Sequence, residues 1–341
     1  MIKLVKTHLK PLLAACMAMG MTAAAAQTHT LRLGHGIAQE HPLGQGALHF
    51  AEILEKNSSG KLAMKVFPAT QLGSEGQMIG AVRGGVQDLV ITSTAPVATQ
   101  IKEYLLFDLP FLLETDAEAD ALLDGPIGQK LLDLAESREM VGLCYWENGF
   151  RQVTNSKREV KSLEDLSGLK LRTMQNPVYI DAFKALGANA IPMPFTELYT
   201  AMETRAIDAQ ENPVAIIHSN KFYEVQKYLT LTNHAYAPYV VLMSRKTWNK
   251  LGEDEQKAMK QSCQEARDYQ RALSRDMTAE LLELLKKEGL TLSTLSPSET
   301  QRLREQIQPI IGKYTNEIGP ELVEQAQRQL QQMRASSGGK S

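Results

Sequence analysis

Apolar and polar residues along the first part of the chain follow patterns that predict strands and helices in turn. Strands are predicted at 31–35, 61–67 and 88–92, where apolar residues alternate with polar ones or form short β-rich runs. Between these strands, apolar residues recur at helical spacing over 44–57 and 75–84. This strand–helix order indicates an α/β lobe built on a largely parallel sheet.

The same kind of pattern continues into a second lobe, which we expect to begin near Gly149. Segment 190–194 contains Pro192 and Pro194, which lack a backbone donor, so it is not expected to be the interior of a central strand. The other elements predicted here are a helix and a strand that end the first lobe (117–137 and 141–146), two second-lobe strands (169–173 and 207–210) and three second-lobe helices (161–166, 177–186 and 196–204).

The longest helical segment is 253–288, because Gly252 and Gly289 bracket 36 residues without glycine or proline. At about 1.5 Å per residue this helix would be roughly 54 Å long, which is more than one small lobe can cover. We therefore expect it to bridge both lobes. A capping box at 296–299 predicts further helices towards the C-terminus, and 335–341 is expected to be a disordered tail.

The first 26 residues have the features of a secretory signal. Three lysines without an acidic residue come first, an apolar run follows over 11–21, and Ala24 and Ala26 form a small-residue cleavage site. A competing interpretation is a lipoprotein signal, which would leave a lipidated Cys16 at the mature N-terminus. We favour cleavage after Ala26. No other stretch is long and apolar enough to predict a membrane span.

Charge, length and cysteine content narrow the class of protein. The net charge of the chain is −2 and becomes −5 without the signal lysines, and no basic tract is present, so nucleic acid is not an expected partner. The remaining length exceeds a single ordinary domain and favours two lobes. After signal cleavage, Cys144 and Cys263 allow at most one disulfide. We interpret Cys144, in an apolar strand-like run, as a buried free thiol.

Recognised catalytic motifs are absent from the sequence. It contains no glycine-rich phosphate loop, no His-Glu-x-x-His pair, no Cys-x-x-Cys and no Gly-x-Ser-x-Gly elbow. Four histidines fall between His29 and His49, but their spacings of six, six and eight residues match no compact metal site. We therefore expect neither an enzyme nor a bound cofactor or metal.

Polar side chains follow three predicted strands of the second lobe. Arg151 comes after the strand at 141–146, Arg172 is near the end of the next, and Asn212 follows the short strand at 207–210. In open α/β sheets, ligands bind at the carboxyl ends of strands. If these strand ends share an edge, the three side chains converge on one cleft.

With these motifs, the sequence resembles the solute-binding proteins of TRAP (tripartite ATP-independent periplasmic) transporters, the dicarboxylate-binding type. The resemblance implies a two-lobe α/β clamshell of the periplasmic-binding-protein fold, with long helices bridging the hinge. It also implies two membrane partners, a small and a large transporter subunit, and an ion gradient as the energy source. Nine segments carry the resemblance in family order: 71–75, 108–111, 124–126, 148–151, 165–172, 185–188, 195–199, 210–213 and 221–228.

The resemblance also assigns ligand-binding residues in the second lobe. Arg172 matches the arginine that grips the ligand carboxylate, a role that suits a rigid two-donor guanidinium. The alternative for Arg172 is a salt bridge to Asp165 or Glu164. Arg151 matches a second ligand arginine, with a structural ion pair as its alternative. Asn212 matches an asparagine that orients the carboxylate or a nearby hydroxyl, and a capping role is its alternative.

Further contacts are expected around these three side chains. Glu75 matches an acid that faces the cleft from the first lobe and would accept hydrogen bonds from ligand hydroxyls or an amine. Its alternative is a helix N-terminal acid that favours the helix dipole. Phe195 would pack on the carbon face of the ligand or belong to the core. The remaining candidates for polar contacts are Ser93, Thr94, Gln175 and Asn176.

These expectations give a monomeric periplasmic protein that captures a small organic acid, a sugar acid slightly ahead of a C4-dicarboxylate, and delivers it to a TRAP transporter. The alternatives are a periplasmic sensor that feeds a signalling receptor and an enzyme on a similar scaffold. We expect lobe I to comprise 27–148 with about 237–275, and lobe II to comprise 149–236 with about 276–334.

Overall fold

The computed structural model describes residues 29–338, so the predicted signal over 1–26, with Cys16, lies outside the described residues. The strands are β1 His29–His35, β2 Leu62–Phe67, β3 Leu89–Ser93, β4 Met140–Asn155, β5 Lys170–Thr173, β6 Asn189–Pro192, β7 Ala209–Pro213, β8 Tyr228–Leu231, β9 Tyr236–Ser244 and β10 Thr291–Thr294. The helices are α1 Pro42–Asn57, α2 Glu75–Gly84, α3 Thr94–Val97, α4 Asp116–Asp124, α5 Pro126–Leu134, α6 Pro177–Ala185, α7 Leu198–Glu203, α8 Val214–Ser219, α9 Arg245–Trp248, α10 Glu253–Lys287, α11 Pro297–Ile318 and α12 Pro320–Gly338. Short 3₁₀ turns at Lys102–Asp108, Ala135–Arg138, Leu163–Leu166, Phe195–Glu197 and Phe222–Glu224 join them.

The strands form two sheets that share β4. In the first lobe the order is β2-β1-β3-β9-β4, with β1 parallel to β2 and β3, and β9 antiparallel to β3 and β4. In the second lobe the order is β6-β5-β7-β4, and β8 and β10 follow on the other side of β4. The predicted two-lobe α/β clamshell is confirmed.

Strand β4 crosses from one lobe to the other without a break. Its residues 140–150 pair with β9 in the first sheet, and 151–155 pair with β7 in the second. The pairing register shifts between Glu147 and Gly149, where Gly149 has φ +111°. Only glycine adopts this backbone conformation readily. The change of partner strand from β9 to β7 follows shortly after this glycine, between Phe150 and Arg151.

Helix α10 joins the two lobes from the outside. It packs on α1 and β4 of the first lobe and on α8 of the second. A disulfide between Cys144 and Cys263 links β4 to this helix, with 6.1 Å between the two Cα atoms. The prediction of a free thiol at Cys144 is wrong. Because 119 residues separate the two cysteines, local sequence patterns do not show that they face each other.

The C-terminal helices divide between the lobes. Helix α11 packs on α6 of the second lobe and on the 3₁₀ turn Lys102–Asp108 of the first, whereas α12 packs on α4 and α5 of the first. Its residues Val323 and Leu330 share a buried apolar cluster with Leu122 of α4. The expected assignment of α12 to lobe II is therefore not what the structure shows. The predicted disordered tail is also partly helical, because α12 continues to Gly338.

The sequence patterns missed three strands, β8, β9 and β10. All nine residues of β9 are buried because helices cover both faces of the sheet, so apolar and polar positions do not alternate there. The predicted helix at 117–137 is broken at Gly125, whose extended backbone separates α4 from α5. Strand β6 pairs only with β5 among the described strands, an edge position compatible with Pro192. Within residues 29–338, no helix has the length and apolar character to span a membrane.

Candidate functional site

A narrow cavity lies between the two lobes. Most of its lining residues lie at or near strand ends, because the carboxyl ends of β1, β3, β5 and β7 face the space between the lobes. Both lobes contribute, so a molecule held here would contact each of them. The lining residues are Gly36, Ile37, Thr70, Ser74, Glu75, Ser93, Asn148, Arg172, Met174, Phe195, Thr196, Asn212, Ile216 and Tyr239.

Arg172 is the cationic side chain of this cavity. It is the third residue of the short strand β5, and the residue as a whole is 2% exposed. Nε and Nη2 both donate to the carbonyl of Met193, at 3.0 and 2.8 Å. Nη1 has no hydrogen-bond partner in the part of the chain that the structure describes. One edge of the guanidinium is therefore held in place while Nη1 is left without a partner.

The charge of Arg172 has no acidic partner within 4.0 Å among residues 29–338. The acids considered as alternatives are engaged elsewhere: Asp165 accepts from the backbone and hydroxyl of Ser162, and Glu164 pairs with Arg302. Burial lowers the pKa of Arg172 to about 10, so the group stays protonated at neutral pH. The charges of Glu211 and Glu75 act on Arg172 from a distance without forming an ion pair with it, and a buried cation without a direct counterion favours an anion in the cavity.

Asn212 lies beside this cation on the cavity wall. As the fourth residue of β7, it pairs across the sheet with Gln152 of β4. Its Oδ1 accepts from Nη2 of Arg151 at 3.2 Å, and its Nδ2 donates to Oε1 of Gln210 at 2.6 Å. The amide is thus held in one orientation by residues behind the wall.

Arg151 lies behind Asn212 and does not line the cavity. Its guanidinium is fully buried and forms an ion pair with both carboxylate oxygens of Glu211, which also contacts Nε2 of His234 at 3.1 Å. Burial acts to raise the pKa of the Glu211 carboxyl, but Arg151 and His234 hold it below its ordinary value. The structural alternative for Arg151, an ion pair, is the arrangement seen here.

Glu75 lines the cavity from the first lobe. It is the first residue of α2, after the N-cap Ser74, which forms a capping box with Gln77. Oε1 of Glu75 accepts from the hydroxyl of Thr92 at 3.0 Å and from the backbone N–H of Ser93 at 2.8 Å. These two bonds fix the carboxylate at the wall, and no hydrogen bond to Oε2 occurs among the described residues.

Apolar side chains complete the cavity and its opening. Phe195 is half-buried, lies 6.1 Å from the ring of Phe222, and borders both the cavity and its opening to solvent. The exposed side chain of Gln175 lies at the opening, between the two lobes. The first-lobe side of this opening is formed by Pro96, Thr99 and Gln100.

Besides Arg151, two further predicted contacts do not reach the cavity. The hydroxyl of Thr94 donates to the carbonyl of Pro238 at 3.4 Å, and Asn176 is fully buried with its amide bonded to other protein groups. Sequence reasoning missed Asn148. This residue opens the segment 148–151 that carries the family resemblance, but no ligand contact was expected from it. It is 4% exposed, and its Oδ1 has no partner in the described part of the chain. Tyr239 was missed because strand β9 was missed.

The cavity has no visible features of a metal site. Within residues 29–338, no group of three or more His, Cys, Asp or Glu side chains is arranged to hold a metal ion. The lining instead combines one cation, one carboxylate, an amide pair and several hydroxyls. These groups suit an anionic organic molecule that carries hydroxyls.

The family model for bacterial extracellular solute-binding protein, family 7, matches residues 33–317. The chain belongs to this family. The matched region includes every residue that lines the cavity and ends just before helix α12.

Named relatives of this family 7 protein include binders of organic acids. The chain is 41% identical to the 2,3-diketo-L-gulonate-binding periplasmic protein of Escherichia coli, over 78% of this chain and 81% of that protein. It is similar to the sugar acid binding protein of Advenella mimigardefordensis in complex with galactonate, with 44% identity, a TM-score of 0.87, and coverage of 89% and 97% of the two chains.

A third relative carries a different acid. The chain is similar to a TRAP periplasmic solute-binding protein of Sulfurospirillum deleyianum with bound succinate, with 32% identity, a TM-score of 0.83, and coverage of 88% and 99%. All three relatives are named for, or bound to, a molecule with at least one carboxylate.

Proposed function

We propose that this protein captures a hydroxylated monocarboxylate, such as an aldonate or another sugar acid, between its two lobes and delivers it to a TRAP-type transporter. The observation that carries the proposal is Arg172. A buried guanidinium that forms no ion pair, and whose Nη1 has no hydrogen-bond partner among residues 29–338, is a site prepared for a carboxylate.

The other lining groups favour a sugar acid over a dicarboxylate. Glu75 brings a negative charge to the first-lobe side of the cavity, where a second carboxylate would meet like charge. A hydroxyl would instead donate to Oε2 of Glu75. Thr70, Ser74, Thr196 and Tyr239 add further hydroxyl groups to the lining. This arrangement suits a ligand with a carboxylate at one end and hydroxyls along the rest.

Delivery requires a form of the protein that a membrane partner recognises. When the lobes close over a ligand, their relative position changes, and a ligand that binds the closed form better shifts the protein towards that form. The predicted signal over 1–26 would export the chain to the periplasm, where small and large TRAP membrane subunits would receive the ligand. Binding rather than catalysis is supported by a lining without cysteine, histidine or lysine among the described residues.

Calorimetry with a panel of ligands tests this proposal. The panel pairs galactonate with galactose, which lacks the acid, and with succinate, which lacks the hydroxyls. We expect tight binding of a sugar acid, much weaker binding of succinate and none of galactose. At about 100 times its dissociation constant, a true ligand stabilises the protein by about 2.7 kcal/mol, which a thermal-shift assay detects. Tight binding of galactose would contradict the role of Arg172, and preference for succinate would contradict the sugar-acid assignment.

A further inference from the structure

Asn176 is one of the polar residues that sequence analysis placed in the ligand site, but the structure gives it other partners. It is the N-cap of α6, where its Oδ1 accepts from the backbone N–H of Val178 at 3.0 Å. The side chain is fully buried and is not part of the cavity lining. Its amide nitrogen is therefore available for contacts other than a ligand.

Both contacts of this amide nitrogen are made to the first lobe. Nδ2 of Asn176 donates to the carbonyl of Ala95 at 3.1 Å and to Oδ2 of Asp108 at 2.8 Å. Ala95 lies in α3, two residues after Ser93 of the cavity wall. Asn176 itself follows Arg172 by four residues, at the end of the loop that leaves β5. The Asn176 amide thus connects two segments that each contribute a residue to the cavity wall, Arg172 from the second lobe and Ser93 from the first.

We propose that Asn176 is a positioning residue that latches the lobes in the closed arrangement. Opening the cleft beside Arg172 would draw the β5–α6 loop away from α3, and both bonds from Nδ2 would break. Buried Asp108, whose Oδ1 already has no partner among the described residues, would then lose its bond from Asn176. The latch affects every ligand of the cavity alike, because Asn176 contacts none of them. It rests on the proposed function only because its effect is measured through the binding of a ligand.

The consequence for binding follows from the population of the closed form. The apparent dissociation constant equals the intrinsic constant divided by the fraction of protein that is competent to bind. Hydrogen bonds present only in the closed form raise that fraction. Because the net contribution of each buried hydrogen bond is modest, loss of both bonds should weaken binding by roughly tenfold.

The variant Asn176→Ser separates the latch from the helix cap. Serine is a favourable N-cap residue, so α6 keeps its acceptor, but the hydroxyl is too short to reach Asp108. Galactonate and succinate are the probes. For each acid that binds, we expect Kd to increase by the same factor, about tenfold. For the ligand-free protein we also expect a larger radius of gyration in small-angle scattering and a small decrease in Tm, because its closed form loses the two bonds while its open form stays folded. Asn249→Ser, the same substitution at an exposed residue just after α9 that does not line the cavity or its opening, is the matched control and should keep the wild-type Kd.

A second variant approaches the latch from the first lobe and leaves the cap of α6 untouched. Asp108→Ala should weaken binding in the same uniform way and add little when combined with Asn176→Ser. Wild-type Kd values in a folded Asn176→Ser protein, or additive effects in the double variant, would overturn the latch. If the variant instead changed the order in which the acids are preferred, Asn176 would have to contact the ligand directly, which would also contradict the latch. If wild-type protein binds none of the acids, the proposed function fails instead.

Discussion

Arg151 and Arg172 are two buried arginines of the second lobe, and their surroundings differ in one decisive respect. Arg151 forms an ion pair with Glu211, a carboxylate that is equally buried. Arg172 has only the carbonyl of Met193 as a hydrogen-bond partner among the described residues. The first charge is neutralised within the protein, and the second needs an anion from outside. Residue type and burial alone therefore do not identify a binding residue, whereas the missing counterion does.

The largest expected effect on stability is at Arg151. Replacing it with methionine leaves Glu211 buried without its partner, which typically costs about 3–5 kcal/mol in the free energy of unfolding. Urea unfolding at pH 7 measures this loss. The double variant Arg151→Met with Glu211→Gln removes both charges and should recover part of it. An Arg151→Met protein as stable as wild type would break the comparison, because Arg151 would then not be a structural charge.

For Arg172 we expect the large effect on affinity instead. Arg172→Ala leaves the ligand carboxylate in the cavity without its partner, which costs about 2–5 kcal/mol, or roughly 30-fold to several thousand-fold in Kd. Arg172→Lys should lose much of the affinity too, because an ammonium group does not reproduce the two-donor fork. Calorimetry gives Kd and thermal unfolding gives Tm for each variant. A folded Arg172→Ala protein with near-native affinity would remove the basis of the proposed function.

Asn212 lies between the two arginines and should show a smaller effect of both kinds. It accepts from Arg151 on one side and lines the cavity on the other. For Asn212→Ala we expect a loss of about 1 kcal/mol in the free energy of unfolding and a decrease of a few-fold to tenfold in affinity. The two measurements are made on the same protein sample. If Asn212→Ala lost stability but kept its affinity, Asn212 would have only a structural role, like Arg151.

The smallest expected effect is a pH dependence that belongs to Arg172 alone. Its pKa is lowered to about 10 by burial, whereas pairing with Glu211 raises the pKa of Arg151. Because the carboxylate binds the protonated guanidinium, Kd should rise by about twofold as pH increases from 8 to 10. Calorimetry over this range should show no such rise for Arg172→Ala.

The stability of the ligand-free protein should respond to Arg172 in the opposite direction. The unfolded chain, with the ordinary higher pKa, binds more protons than the folded one above pH 10, so this group contributes stability as pH rises through that window. Unfolding curves of wild type and Arg172→Ala above pH 10 would isolate that contribution. If affinity and stability changed in the same direction, the assignment of the pKa to Arg172 would be wrong.

The sequence was a good guide where function depends on strand ends. Strand ends led us to expect Arg151, Arg172 and Asn212 in one cleft, and the structure brings Arg172 and Asn212 to the cavity but leaves Arg151 behind its wall. Glu75, which the resemblance assigned, and Ser93 at the end of β3 line the same cavity. This works because neighbouring parallel strands end at the same edge of a sheet, whatever their separation in sequence. The order of strands and helices in the first lobe could be predicted for the same reason.

Long-range partners could not be predicted from local patterns. Glu211, the partner of Arg151, lies 60 residues away, and the acceptors of the Asn176 amide lie 81 and 68 residues away. The fully buried strand β9 carries no alternation that a pattern could detect. In each case the deciding contact forms only when distant segments pack together.

The disulfide has a topological consequence for the second lobe. Cys144 and Cys263 close a covalent ring that contains strands β5 to β9 and helices α6 to α9. The ring therefore encloses most strands of the second lobe together with strand β9 of the first. A ring of this size removes about 4–5 kcal/mol of chain entropy from the unfolded state in the simplest loop model. Because disulfides form where the environment is oxidising, this stabilisation would become available only after the chain leaves the cytosol.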